Sequence, residues 1–321
     1  MERFSNILLL ADAGLENSIA LKRALALAGS NQASLTVVDI VDSIPADIQL
    51  AITTVPPAEL VDIAVAEKKE QLEPVVAAGK AGGIDMDARV LVGKPFLEII
   101  RQVLRNEHDL VIKCVDPSGS FKDTLFGSTD MHLMRKCPCP VWILKSTEHE
   151  QNRRIMAALD QDPEDAVKDI LNRQILEMST SLAIAEFSEL HIVHAWRLYG
   201  EDQFRSPRIS VTEVEVDAMV AEEASERRRW LKNLVKTYGA KTDSEAVDYV
   251  GPQLHVIKGD AKQVVPEAAH ALDIDLIIMG TVARAGIPGF FMGNTAESIL
   301  NQIDCSVLTI KPPGFISPVS L

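Results

Sequence analysis

Two glycines thirteen residues apart, Gly280 and Gly293, with Asn294 and Thr295 following the second, have a spacing that could do chemistry. A helix N-terminus behind a flexible loop presents free N–H groups, which makes it a seat for phosphate. Asn294 or Thr295 would cap that helix, leaving the remaining N–H groups to an anion. An ordinary strand–helix turn uses the same residues, and that reading stays open. Asp160 and His194 join the set because each sits at the end of an apolar run, 155–159 and 190–196. In an open parallel sheet the ligand crevice lies beyond the carboxyl ends of the strands, where strand order reverses. If the first and fourth strands of this half are neighbours, Asp160, His194, Gly280 and Gly293 converge there. Gly280 would let a ligand lie close to the backbone. A loop hydrogen bond for Asp160 and a hydrogen-bonded rim position for His194 remain the plain alternatives.

The elements that must position these residues occur twice. Residues 109–145 align without a gap on residues 275–311 at an offset of 166, which sets Gly127 on Gly293, Thr129 on Thr295, Cys139 on Cys305 and Lys145 on Lys311. Each copy reads as strand, glycine-bearing loop, helix and strand. A period near half the chain means two copies of one domain. In the first copy, strands are expected at 7–11, 35–41 and 89–92, with helices at 17–28, 58–81 and 95–105. The first helix is expected to stop at Gly29. The second copy restarts with a strand at 155–159 and continues with a helix over 163–185 and a strand over 190–196. A polar insertion follows at 199–210, then a helix over 212–238, a strand over 254–257 and a helix over 261–271. The β-α alternation predicts parallel sheets with helices on both faces. The polar, aperiodic stretch 146–153 is the linker, and the tail 312–321 reads as an extended arm.

Composition narrows the function. A chain of 321 residues suggests about two domains, and with 47% hydrophobic residues each half can bury its own core. The balance of 46 acidic against 32 basic residues, a formal charge of −14, repels phosphate backbones, so nucleic acid is not an expected partner. Four cysteines make no disulfide framework. Cys137-Pro138-Cys139 lacks C-x-x-C spacing and a second pair, so it reads as buried small residues rather than a zinc site. No apolar run approaches the ~20 residues that span a bilayer, and Met1-Glu2-Arg3-Phe4 has no signal-peptide layout. A soluble, cytoplasmic protein is expected.

The pattern of an apolar strand ending in Asp (ILLLAD, IMAALD), then V-x-x-G-(K/D), then DLIIMG with a downstream glycine, then CPVWIL and CSVLTI, resembles the universal stress protein family. It resembles the tandem type of that family over nearly the whole chain. The resemblance implies two tandem, doubly wound, five-stranded parallel sheets of Rossmann-like α/β fold, as domains 1–147 and 154–321. The apolar closing strands, 141–144 and 307–310, would form within one chain the edge contact that the family makes between subunits, giving an intrachain pseudo-dimer. A homodimer and other stress proteins are further partners it leaves open. The ATP-binding branch of the family carries G-2x-G-9x-G-(S/T). Mapped here, Gly280 and Gly293 are the first and third glycines, Ala283 replaces the second, and Asn294 replaces the hydroxyl residue. In the first copy these positions are Cys114, Pro117, Gly127 and Ser128. The resemblance therefore implies ATP or a related nucleotide, held mainly in the second domain with no metal required. The expected contacts are Ala158, Asp160, Val193, His194, Met279 and Gly280, then Val282, Ala283, Gly293, Asn294 and Thr295.

No G-x-G-x-x-G after a first strand, P-loop or nucleophile elbow occurs in the chain. His191 and His194 are three apart on an expected strand and point to opposite faces, so they cannot share a metal. A stress-response binding protein is the first reading. A slow ATPase or phosphotransferase with a metal on Asp160 is the second, though phosphoryl transfer wants more cationic help than Arg284 gives. The loop between the two glycines is apolar through Ala285, Ile287, Phe290, Phe291 and Met292. It packs on the helix below, covers a domain interface, or extends the site for an amphipathic ligand.

Overall fold

Each copy anchors its first strand with the aspartate that opens the repeated stretch. The Asp109 carboxylate accepts the backbone N–H groups of Ser5 at 2.6 Å and Asn6 at 3.1 Å. At the offset of 166, Asp275 accepts those of Arg153 at 2.7 Å and Arg154 at 2.9 Å. A charged acceptor on two adjacent N–H groups fixes where a strand starts and ties it to the strand that follows the aspartate. The computed structural model describes residues 4–11, 15, 18–43, 56–115, 126–145, 152–162, 165–241, 244–281 and 292–321.

Two compact units emerge. The first comprises residues 2–150, 281–292 and 306–321, and the second residues 151–280 and 293–305. In the first, β1 (Asn6–Leu10), β2 (Ser34–Val41), β3 (Met86–Val92), β4 (Leu110–Cys114) and β5 (Val141–Leu144) form a parallel sheet in the order β3-β2-β1-β4-β5. The intervening helices are α1 (Ile19–Asn31), α2 (Pro57–Ala81), α3 (Pro95–Asn106) and α4 (Ser128–Lys136). Ile7, Leu8, Leu9, Val111 and Ile112 are fully buried, as expected for strands covered on both faces. The expected α/β doubly wound class is therefore the observed one.

Helix α1 does not stop at Gly29. It runs on to Asn31 and ends at Gln32, which takes the left-handed conformation at φ 57° and returns its N–H to the Ala28 carbonyl. Gly29 is an interior residue there, 3.5 Å in Cβ terms from Ile84 Cδ1, so its small size serves packing rather than termination. The closing strand of the second copy, β10 (Ser306–Ile310), belongs to the first unit and pairs antiparallel with β5. Val307 lies opposite Ile143, Leu308 opposite Trp142 and Thr309 opposite Val141, so the apolar edge of β5 is covered. The tail is anchored on the same unit: Ser317 Oγ donates to the Lys136 carbonyl at 2.7 Å and Arg101 Nε to the Ser320 carbonyl at 3.3 Å. Phe315 lies beneath the Lys311 ammonium, 5.1 Å away, whereas Ile316 is exposed.

In the second unit, β6 (Arg154–Leu159), β7 (Glu189–Trp196), β8 (Gln253–Lys258) and β9 (Leu276–Gly280) run parallel in the order β9-β6-β7-β8. Its helices are α5 (Ala166–Glu186), α6 (Glu201–Phe204), α7 (Glu213–Lys241), α8 (Ser244–Val250), α9 (Ala261–Ala271) and α10 (Asn294–Leu300). Helix α5 begins later than its apolar pattern suggests because Asp165 caps it, accepting the N–H of Val167 at 2.9 Å. The polar insertion holds the short α6, and α8 is a further helix that periodicity did not indicate.

Candidate functional site

Strand β6 lies between β9 and β7, so strand order reverses beside β6 at the β6/β9 pair. The register is specific. Ala158 is opposite Met279 on one side and Val193 on the other, and Leu159 is opposite His194. Ala158, Val193 and Met279 thus come together at the carboxyl ends of three neighbouring strands. Asp160 and Gly280 close two of those strands. Met279 and Val193 are buried, and Ala158 is half-buried. Gly293, Asn294 and Thr295 open α10. Val282 and Ala283 lie outside the described residues, as do Asp12, Arg284, Ala285, Ile287, Phe290 and Phe291. Met292 is buried at 3% exposure.

Neither Asn294 nor Thr295 caps α10. Gly293 is the N-cap, has no side chain to accept from the helix N–H groups, and both following side chains are exposed. Among the described residues the first N–H groups of the helix therefore receive no cap from the side chain of the N-cap residue. Gly280 makes room for a helix. A Cβ built there would lie 2.6 Å from Leu171 Cδ2, so the space it leaves is taken by α5. Glycine at this position lets the helix pack down on the end of β9.

Asp160 is held at both ends. Its backbone N–H donates to Asn172 Oδ1 at 3.3 Å, and Asn172 Nδ2 donates to its carbonyl at 2.7 Å. Its carboxylate accepts from Lys168 Nζ at 2.6 Å, and Asp162 lies 3.3 Å from the same ammonium. Burial lowers the Lys168 pKa, but the two carboxylates outweigh it and hold the ammonium above its ordinary value. The plain reading of Asp160 thus accounts for its backbone, and the carboxylate is exposed but neutralised.

His194 is buried at 1% exposure. Its Nδ1 donates to the Leu159 carbonyl at 3.1 Å, which fixes the tautomer and leaves Nε2 as a lone-pair acceptor. Among the described residues that Nε2 has no hydrogen-bond partner, and the ring packs against Trp230 of α7 with centroids 4.8 Å apart. Burial pushes the imidazole below its ordinary pKa. His191 lies on the other side of the strand, where its Nδ1 is 3.1 Å from His255 Nε2. The two histidines of β7 therefore do not meet. Sequence reasoning missed Lys168, Leu171, Asn172 and Trp230. All four are helical residues that no motif marks; Lys168 and Asn172 lie 8 and 12 residues after Asp160, whereas Leu171 and Trp230 are remote in sequence from Gly280 and His194.

The first unit shows what the equivalent place becomes when filled by its own side chains. The Asp130 carboxylate accepts the Gly127 N–H at 2.9 Å, at the N-terminus of α4. Its other oxygen pairs with Lys113 Nζ at 3.1 Å. Lys113 also donates to the Cys114 carbonyl at 2.6 Å, and both charged residues are buried. At the offset of 166 these two positions are Met279 and Ala296, so the second copy has neither charge.

The sequence model of the universal stress protein family matches residues 3–145 and again residues 151–311. Universal stress protein E of Escherichia coli strain K12 is 30% identical over 243 residues, covering 74% of this chain and 72% of that protein. Universal stress protein E of Salmonella typhi is 27% identical over 327 residues, covering 100% and 98%. Among solved structures, a functionally unknown protein of Pseudomonas aeruginosa PAO1 superposes with a TM-score of 0.66 at 24% identity, covering 96% of this chain and 93% of that one. A universal stress protein of Archaeoglobus fulgidus DSM 4304 gives 0.62 at 18% identity, with coverage of 95% and 98%. These two similarities concern the fold.

Proposed function

The chain belongs to the universal stress protein family, and from that premise we propose that it serves a stress response as a binding protein. Its ligand is a nucleotide or nucleotide-like molecule, taken mainly by the second copy and not turned over. The two copies are read as domains 1–147 and 154–321, joined as an intrachain pseudo-dimer whose closing strands are β5 and β10. The observation that carries the ligand reading is the register of Ala158 with Val193 and Met279 at the strand-order reversal. An open crevice is expected there. The contrast with the first copy supports the same side of the chain, because there an internal ion pair, Lys113–Asp130, stands at the helix N-terminus. Turnover is disfavoured because Asp160, the acid at the end of β6, is paired with Lys168.

Titration calorimetry of the full chain with ATP, ADP and AMP tests the reading. Ala158→Phe should cut affinity for the bound nucleotide by tenfold or more while far-UV circular dichroism is unchanged. Unchanged affinity in Ala158→Phe would remove the site from this crevice. Phosphate release above background that Asp160→Ala abolishes would replace the binding reading with slow hydrolysis.

A further inference from the structure

Cys137 and Cys139 bring two thiols to one point, and nothing in the proposed ligand site uses them. Cys137 ends α4, its N–H donating to the Leu133 carbonyl at 2.9 Å, and Cys139 leads into β5. Pro138 between them restricts the backbone, and the two Sγ atoms lie 3.5 Å apart. The fold itself does not require this pair. At the offset of 166 the second copy has Ile303, also buried at 5% exposure, in place of Cys137. A plain aliphatic side chain therefore meets the packing demand of that position.

Two thiols could serve redox chemistry or hold a metal, and burial separates these. Cys137 is fully buried and Cys139 is 9% exposed. Thiols so enclosed are poor nucleophiles toward an oxidant, because the thiolate is the reactive form and apolar surroundings disfavour it. A metal ion needs no preformed thiolate, since coordination itself displaces the proton. The number of donors selects the metal. Zinc wants four ligands, and among the described residues no group of three His, Cys, Asp or Glu is assembled. Soft sulfur ligands select Cu(I), a closed-shell ion that is satisfied by two thiolates. Metal–sulfur bonds of about 2.3 Å require the sulfurs to open by about 1 Å at most, which side-chain rotation at the two cysteines supplies.

The geometry points to a two-coordinate site for a soft monovalent cation, Cu(I), between Cys137 Sγ and Cys139 Sγ, with Lys311 as the balancing charge. One Cu(I) binds, two thiol protons leave to solvent, and no electron is transferred. The resulting bis-thiolate carries one negative charge. Lys311 Nζ is held by the Thr281 hydroxyl and by the carbonyl of Met134, three residues before Cys137 in the same chain segment.

The test is an anaerobic titration of the reduced full chain with Cu(I) in competition with the chromogenic chelator bicinchoninate. The chain should withdraw one Cu(I), and Cys137→Ser or Cys139→Ser should each abolish this, whereas Cys114→Ser and Cys305→Ser should not. Lys311→Met keeps both ligands and should weaken binding by about 10–100-fold, the usual effect of an outer partner. Copper-edge X-ray absorption of the wild-type chain, which needs no variant, should count two sulfur neighbours. No Cu(I) withdrawn, equal uptake by Cys137→Ser, or a coordination shell of nitrogen and oxygen would overturn the site. Unchanged affinity in Lys311→Met would overturn the role given to the lysine.

Discussion

Replacing Lys113 by Met and Asp130 by Ala gives the first copy the residues that the second has at the same positions, and the energetics can be worked in advance. Lys113 is 5% exposed and Asp130 1%, so both charges have lost most of their hydration and each is compensated chiefly by the other. Lys113→Met alone leaves the Asp130 carboxylate buried with the Gly127 N–H as its remaining described partner, and should cost about 3–5 kcal/mol. Asp130→Ala alone strands the ammonium and also removes the helix cap, adding about 1 kcal/mol to a similar loss. The double variant buries no charge. It should lie within about 2 kcal/mol of wild type, the lost cap offsetting the relieved desolvation. The cycle should therefore show a coupling of at least about 3 kcal/mol, far outside the additivity of independent sites. Because the chain has two compact units, the readout must be local. Hydrogen-exchange mass spectrometry of peptides covering β4 and β5 reports opening of the first unit alone. Singles within about 1 kcal/mol of wild type, or a double no better than the worse single, would refute a buried, mutually compensated pair. The same double variant bears on binding: if the carboxylate stands where an anion would sit, removing it should create a second, weak nucleotide site in calorimetry.

Three further outcomes follow from the same structure. Burial depresses the His194 pKa, so the folded state stays neutral while the unfolded chain takes up a proton below about pH 6.5. Stability should therefore fall as pH drops below that value. His194→Asn, which can keep the bond to the Leu159 carbonyl, should flatten part of that slope in denaturant melts, and an unchanged slope would count against it. Burial lowers Lys311 to about 7, so its cost is full below that pH and is relieved as pH rises toward 10.5. Lys311→Met should accordingly raise the unfolding midpoint most at pH 6 and least at pH 10. Gly280→Ala puts a methyl 2.6 Å from Leu171 Cδ2 and should destabilise by about 1–3 kcal/mol, partly rescued by Leu171→Ala. A Gly280→Ala chain as stable as wild type would mean that α5 does not need that space.

The repeat, the α/β class and nearly every strand follow from the amino-acid sequence, because buried parallel strands must be continuous apolar runs and the β-α period leaves few topologies. Ala158, Val193 and Met279 were named through the family resemblance alone, and it is the strand register that sets them side by side. Tertiary structure alone decided what the polar and small residues do. Whether Gly280 faces a ligand or a helix depends on where Leu171 arrives, 109 residues earlier in the chain. The Asp160 charge depends on Lys168 reaching back from α5, and the His194 tautomer depends on the Leu159 carbonyl of the neighbouring strand. The antiparallel partner of β5 came from the far end of the chain. Apolar burial is non-directional and leaves its mark in composition and period, whereas hydrogen bonds, ion pairs and close packing are set by single atoms that only the folded chain brings together.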